Sequence, residues 1–291
     1  MDELTRAQAA VWPLATYAAV REQVRPPVVV QGRARRGPGR LTVLGVPHVH
    51  DPAHPIFGLI REAFRRTRPT RVLVEGGEPT PLPTLGDMIG AYGEIGLAAW
   101  LARFGRVRLG SLEPWRIDEA HALRAHADPE AIKVFTVMRD LVTWHRGHRV
   151  VSIETHAQVL LDNLARGGVP GRPRTVAELE AAAARWLPEL ADWRQAPAAW
   201  FDPSQEGTWT QALARASSEV RDRHMVRLLG CAVDRGARVV AVMGYSHAVT
   251  QAPGLALLLD DLHTRGLPPL TSPPAAPSTS SGRSPRSPRP G

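Results

Sequence analysis

LTVLGVPH at residues 41–48 and VVAVMGYSH at residues 239–247 share one design. Each is an apolar, mostly β-branched run followed by a glycine, two residues and a histidine, pairing Gly45 with His48 and Gly244 with His247. Short apolar runs closed by glycine read as buried strands. A glycine at a strand's end permits a sharp turn, which predicts that both imidazoles face back across the edge of a sheet. Catalytic and ligand-binding groups in open α/β sheets gather at the carboxyl ends of strands. One Gly-x-x-His is weak evidence, and the plain alternative is an ordinary loop histidine. Two copies on matching strands, far apart in the chain, point to a shared site.

Working outward, RVLVE (71–75), VRLGSL (107–112) and RVVSIE (149–154) read as further strands of the same kind. Helical patterning is expected near 56–66, 89–104, 130–147 and Leu255–Thr264, and residues 1–24 read as a helix covering one face. Pro26 to Arg40 reads as a connector. Residues 157–235 are mostly helical, with breaks at Gly167–Gly171 and Pro203, and are expected to form an insertion or cap. Alternating strands and helices imply an α/β fold, a central mixed β-sheet flanked by helices, in a single domain over residues 1–267. From residue 268 the chain turns to Pro, Ser, Arg and Gly, a composition that buries no core and is expected to be disordered.

Composition excludes several classes. A hydrophobic fraction of 43% supports a packed core. The single cysteine, Cys231, leaves no intramolecular disulfide framework and fits a reducing compartment. No run of about eighteen apolar residues occurs, which argues against a membrane span. MDELTRAQAAVWPL lacks the apolar stretch of a signal peptide, so the expected location is the cytoplasm. The net charge of +8 is carried almost wholly by arginines spread along the chain, without the aromatic interleaving of RNA-binding motifs. Specific nucleic-acid binding is not expected.

Glu75 closes one apolar run and Glu154 another. A carboxylate in that position needs an ion pair, a proton or a metal. Two imidazoles with one or two carboxylates suit a divalent ion such as Zn²⁺ or Mn²⁺, and such an ion activates water near neutral pH. The plain alternative is a glutamate held by an arginine or a helix N-terminus. In the helix around Gln211–Arg235, Met225, Leu228, Leu229 and Ala232 form a core-facing stripe that Arg221 continues by one turn, with Asp222 on an adjoining face. A guanidinium on that stripe either meets an anion or snorkels to solvent. His50, Asp51 and His54 crowd around His48 but read as loop residues opening the next helix. Trp186, Trp193, Trp200 and Trp209 read as core of the cap, and Cys231 as a small buried residue.

The order of these segments resembles the Tiki/TraB/GumN superfamily, which includes erythromycin-esterase and haem-binding ChaN-like relatives. LTVLGVPHVH and VVAVMGYSH match the two Gly-x-x-His signatures, at Gly45/His48 and Gly244/His247. RVLVEGGE supplies the strand-end Glu75, and Pro114–Trp115 resembles a Pro-Trp pair of the GumN branch. VVSIETHAQVLLDNL is similar to that branch's Leu-Glu-Thr segment, at Glu154, Thr155 and Gln158. EVRDRHMVRLL looks like the Arg-Asn or Arg-Asp helix motif, at Arg221 and Asp222, with Met225 after it. The matches run in family order from about residue 41 to 262. Arg221–Asp222, where GumN sequences have Arg-Asn, lies nearer the esterase and ChaN-like branches.

The resemblance implies repeated or inverted βα halves and, for Tiki members, a peptidase using Mn²⁺ or Co²⁺. The expected function is therefore a metal-dependent, metallopeptidase- or esterase-like hydrolase of a peptide or ester substrate. His48, His247 and Glu75 would hold Mn, Co or Zn. Glu75 and Glu154 would share the roles of ligand and general base, and Arg221, with Asp222 beside it, would hold the substrate anion or developing oxyanion. The alternative is a non-catalytic ChaN-like protein that binds haem or another small ligand in the same cleft, with Tyr245 near at hand as an axial ligand.

Overall fold

The structure is a computed structural model that describes residues 2–146 and 151–268. All but the first residue of the proline-rich tail, and residues 149 and 150 of the RVVSIE segment, lie outside the described residues. The chain opens with helices α1 (Glu3–Ala9) and α2 (Leu14–Val20), then strands β1 (Val28–Ala34) and β2 (Arg40–Val46). Next come α3 (Ile56–Thr67), β3 (Arg71–Val74), α4 (Leu85–Phe104) and β4 (Arg108–Ser111). Helices α5 (Arg116–Leu123), α6 (Pro129–Arg146), α7 (Ile153–Arg166), α8 (Val176–Trp186) and α9 (Trp209–Asp234) follow. The described chain ends with β5 (Arg238–Gly244), α10 (Tyr245–Leu258) and β6 (Leu259–Arg265). Among the described residues no helix is long and apolar enough to cross a membrane.

The fold is α/β around one mixed six-stranded sheet in the order β4-β3-β5-β2-β1-β6. β4, β3, β5 and β2 run parallel, while β1 is antiparallel to β2 and β6 antiparallel to β1. Period-two geometry sorts β5 onto two faces. Val239, Ala241 and Met243 pack with α9 and α10, whereas Val240 and Val242 pack with α3 and α4. Because helices cover both faces, the central strands are continuously apolar rather than alternating. Phe57 and Ile60 of α3 are fully buried against this sheet, and truncating either to alanine costs about 3–4 kcal/mol.

A third core, separate from the sheet, joins Leu123 of α5, Ile132 and Phe135 of α6, Leu161 of α7, Leu179 of α8 and Leu213 of α9. The helical cap therefore starts at α5, well before residue 157. It takes only the beginning of α9, because Met225, Val226 and Leu229 pack on the sheet side. The tryptophans behave as expected: Trp193 is buried, and Trp186, Trp200 and Trp209 pack against the cap core. Lys133, the chain's one lysine, is buried with its ammonium donating to the carbonyls of Gly171 and Pro173, which ties the α7–α8 loop to the cap.

Four expectations are corrected. Residues 26–40 are not a plain connector: Val28–Val30 are β-branched, buried and pair with β2. The chain near Leu255–Thr264 is not one helix. The helix ends at Leu258, and LDDLHTR forms edge strand β6 on β1, keeping most of its polar side chains exposed. Residues 1–24 divide at Pro13 into two short helices. The described part of RVVSIE is not a strand either, since Ser152 caps a helix beginning at Ile153.

Candidate active site at the carboxyl edge of the sheet

The parallel strands β2, β5, β3 and β4 all end at one edge, and the residue just beyond each end carries chemistry. β2 delivers His48 and β5 delivers His247 in the first turn of α10. Glu75 directly follows β3, and Glu113 stands two residues after β4. Val74 is opposite Ser111 in the β3–β4 register, which brings the two glutamates side by side.

Neither signature glycine turns the chain through positive φ, as the sequence led one to expect; His48 itself takes that conformation, at φ 63°. Gly45 and Gly244 are instead required for close approach. A Cβ on Gly45 would lie 2.7 Å from Ala248 Cβ and 2.9 Å from Tyr245 Cα, so this glycine seats α10 against β2. A Cβ on Gly244 would lie 2.8 Å from His48 Nε2 and 3.3 Å from Glu75 Oε2. The second glycine thus leaves room for the site itself. The strained loop after β2 is braced by α4, where buried Glu94 accepts the Val49 N–H at 2.8 Å.

His247 is fixed from behind. Its Nδ1–H donates to Asp222 Oδ1 at 2.7 Å, and Asp222, 1% exposed, also accepts from Thr250 Oγ1 and Gln251 Nε2. On the other side, His247 Nε2 lies 3.3 Å from Glu75 Oε1. Burial alone would lower the pKa of His247, but Asp222 and then Glu75 outweigh it and push it up to about 10. Burial would likewise raise Glu75; His247, Arg221 and the Gly244 N–H, which donates to Oε2 at 2.6 Å, hold it well below the usual carboxylate range.

Arg221 reaches inward from α9 at the junction of sheet and cap, its side chain 12% exposed. It forks onto Glu113, with Nε donating to Oε2 at 2.7 Å and Nη2 to Oε1 at 2.6 Å. Nη2 also donates to Glu75 Oε1 at 3.1 Å. Buried beside these two carboxylates, the guanidinium is held even more firmly protonated than usual.

His48, His247, Glu75, Arg221 and Asp222 are thus brought together, and Glu154 is not. Glu154 sits in the first turn of α7, where Arg194 Nε donates to it at 2.7 Å, and its side chain is 45% exposed. The glutamate that closes a neighbouring strand is Glu113, in VRLGSLE. The signal is present in the sequence, an apolar strand ending near a carboxylate. His50 and His54 stay in the loop, His50 Nδ1 against the Gly90 carbonyl and His54 Nδ1 accepting the Ile56 N–H. Cys231 is half-buried.

The site opens into a cavity of about 370 Å³ between the sheet edge and the cap. His48, His247, Arg221, Tyr245 and, from the cap, Arg139 and Phe201 are in its wall. Tyr245 is engaged with Tyr17 of α2, whose phenol is shifted up chiefly by burial and then by that bond. The first N–H groups of α10 have no side-chain cap, and a helix begins there with its positive dipole end toward the cavity.

Two imidazoles and a carboxylate are donor types that suit a divalent ion, and Asp222 stands on the far nitrogen of His247, where a metal-bound histidine commonly has a carboxylate. As the side chains stand, no three His, Cys, Asp or Glu groups among the described residues form a metal-holding cluster. The Glu75 oxygens are taken up by Arg221, Gly244 and His247. For His247 to become a ligand, its Nε2 proton has to leave.

No family model matches this chain, and no curated protein or solved structure matches it.

Proposed function

We propose that this chain is a hydrolase of amide or ester bonds in small substrates, with a divalent ion held by His48, His247 and Glu75. The observation that carries the reading is the gathering of these side chains around Gly244: Glu75 Oε1 lies 3.3 Å from His247 Nε2, and His48 Nε2 and Glu75 Oε2 both border the space a Cβ on Gly244 would fill. The resemblance of both Gly-x-x-His segments to the Tiki/TraB/GumN superfamily supports it.

A bound ion would lower the pKa of water and polarise a carbonyl. Asp222 holds the His247 ring in one orientation and stabilises positive charge on it. Arg221 neutralises Glu75 and Glu113, so that two half-buried carboxylates can stand side by side. Glu113, beside Glu75 and paired with Arg221, would serve as the general base toward attacking water. The uncapped start of α10 offers N–H groups to an oxygen that becomes negative in the transition state.

The test is hydrolysis of a panel of acyl amides and esters by purified protein, with Mn²⁺, Co²⁺ or Zn²⁺ added or removed by chelation. Turnover should require metal and vanish in Glu75→Gln, with folding retained. Turnover indifferent to chelator and to Glu75→Gln would refute the reading.

A further inference from the structure

Arg139 belongs to the cap, yet it stands in the wall of the cavity with Arg221 and His247. Its Nη1 donates to Glu119 Oε1 at 2.8 Å and to Ser217 Oγ, and its guanidinium lies over the Phe135 ring, 5.7 Å from the centroid. These contacts fix the side chain before any ligand arrives. Nε and Nη2 meet no hydrogen-bond acceptor among the described residues, and the side chain is 26% exposed. Burial, and then nearby Arg221, press Arg139 toward losing its proton, against the pull of Glu119.

The charges around this cavity are layered. Arg139, Arg221 and His247 are in its wall, while the carboxylates that balance them, Glu119, Glu113, Glu75 and Asp222, are not. The one carboxylate in the wall is Asp202, and it is already occupied: Oδ1 accepts from the Ser204 N–H and hydroxyl, and Oδ2 from Gln205 Nε2. A ligand entering between cap and sheet therefore meets cations, one of which has donors to spare.

We propose that Arg139 is a specificity-determining anchor for a carboxylate on the substrate, so that the cleft takes small acyl compounds bearing a free acid group. Its planar fork matches a carboxylate's two oxygens. Arg139 comes from the cap while His48 and His247 come from the sheet edge, so the anionic group is set on the cap side of the substrate and the reacting carbonyl on the sheet side. The proposal rests on the hydrolytic reading for what happens to the bound molecule, while the anion preference stands on the cavity wall alone.

The probes are N-acetylalanine and its N-methylamide, titrated calorimetrically into the full chain near pH 7. The acid should bind at least tenfold more tightly than the amide. Arg139→Gln should erase the difference, and Arg139→Gln/Glu119→Gln should erase it too while restoring the melting temperature, since the double variant leaves no unpaired buried carboxylate. Equal affinity for the two probes, no binding of either, or a preference that survives in the double variant would overturn the proposal. An Arg139-dependent preference in a protein that hydrolyses no ester or amide upholds the anchor and sinks the hydrolase. Metal-dependent hydrolysis without any preference for acids does the reverse.

Discussion

Asp222 Oδ1 lies 2.7 Å from His247 Nδ1, and the pair joins the long helix α9 to the first turn of α10 inside the protein. The remaining capacity of Asp222 is used by Thr250 and Gln251, both also buried. A carboxylate this enclosed is stable only with its partners in place. Asp222→Asn keeps the shape but removes the charge facing His247. It should lower stability by about 3–5 kcal/mol. Activity in the protein that remains folded should drop roughly 10- to 100-fold. Urea unfolding and initial rates check both, and wild-type behaviour in either would count against an Asp222 that positions His247.

The two signature glycines should fail differently. Gly45→Ala drives a Cβ into Ala248 Cβ and the Tyr245 backbone, which cannot swing away. It should destabilise by about 1–3 kcal/mol through overpacking. Gly244→Ala meets the ring nitrogen of His48 and an oxygen of Glu75, the far ends of side chains. It should leave the melting temperature nearly unchanged and cut turnover at least tenfold. Equal loss of stability in both variants would show that Gly244 is only a packing residue.

Glu113 and Glu154 separate site from surface. Glu113→Gln breaks the fork from Arg221 and should abolish most activity, whereas Glu154→Gln loosens only an exposed pair with Arg194. An exposed pair of that kind is worth about 0–1 kcal/mol. Initial rates of the two variants decide the matter, and a stronger effect at Glu154 would return the site to the segment around α7.

Stability of the metal-free protein should depend on pH through His247 and Glu75. His247 is raised from 6.5 to about 10 by Asp222 and Glu75, with Arg221 opposing. Its contribution is complete below pH 6.5 and declines as pH climbs through 10. Glu75 is depressed from 4.5, so its contribution is complete above that value and is lost in acid. The protein should be most stable near pH 4.5–6.5 as far as this pair decides, and should weaken from there to pH 10. His247→Gln should flatten that alkaline slope in urea-midpoint measurements; an identical slope would exclude the pair as its source.

Much of the site was legible because strand ends are written locally. An apolar run, a glycine and a histidine placed His48 and His247, and the stripe of Met225, Leu229 and Ala232 placed Arg221. What the sequence hid depends on partners far away in the chain. Nothing local to LDDLHTR says strand, because its hydrogen bonds come from β1. RVVSIE has the composition of a strand, but Ser152 caps a helix there instead, its hydroxyl accepting the Thr155 N–H. Glu119 and Ser217 hold Arg139 at the cavity from α5 and α9, and no spacing within α6 announces that.

The most direct test of the central claim is a calorimetric titration of Mn²⁺, Co²⁺ or Zn²⁺ into the metal-free chain at pH 7, repeated in buffers of different ionisation enthalpy. His247 starts protonated, with its pKa near 10. A metal site at His48, Glu75 and His247 therefore predicts one ion bound per chain with release of about one proton. Glu75→Gln should lose that binding while remaining folded. Absence of binding to the wild-type chain, or equal binding to wild type and Glu75→Gln, would contradict a metal centre at this edge of the sheet.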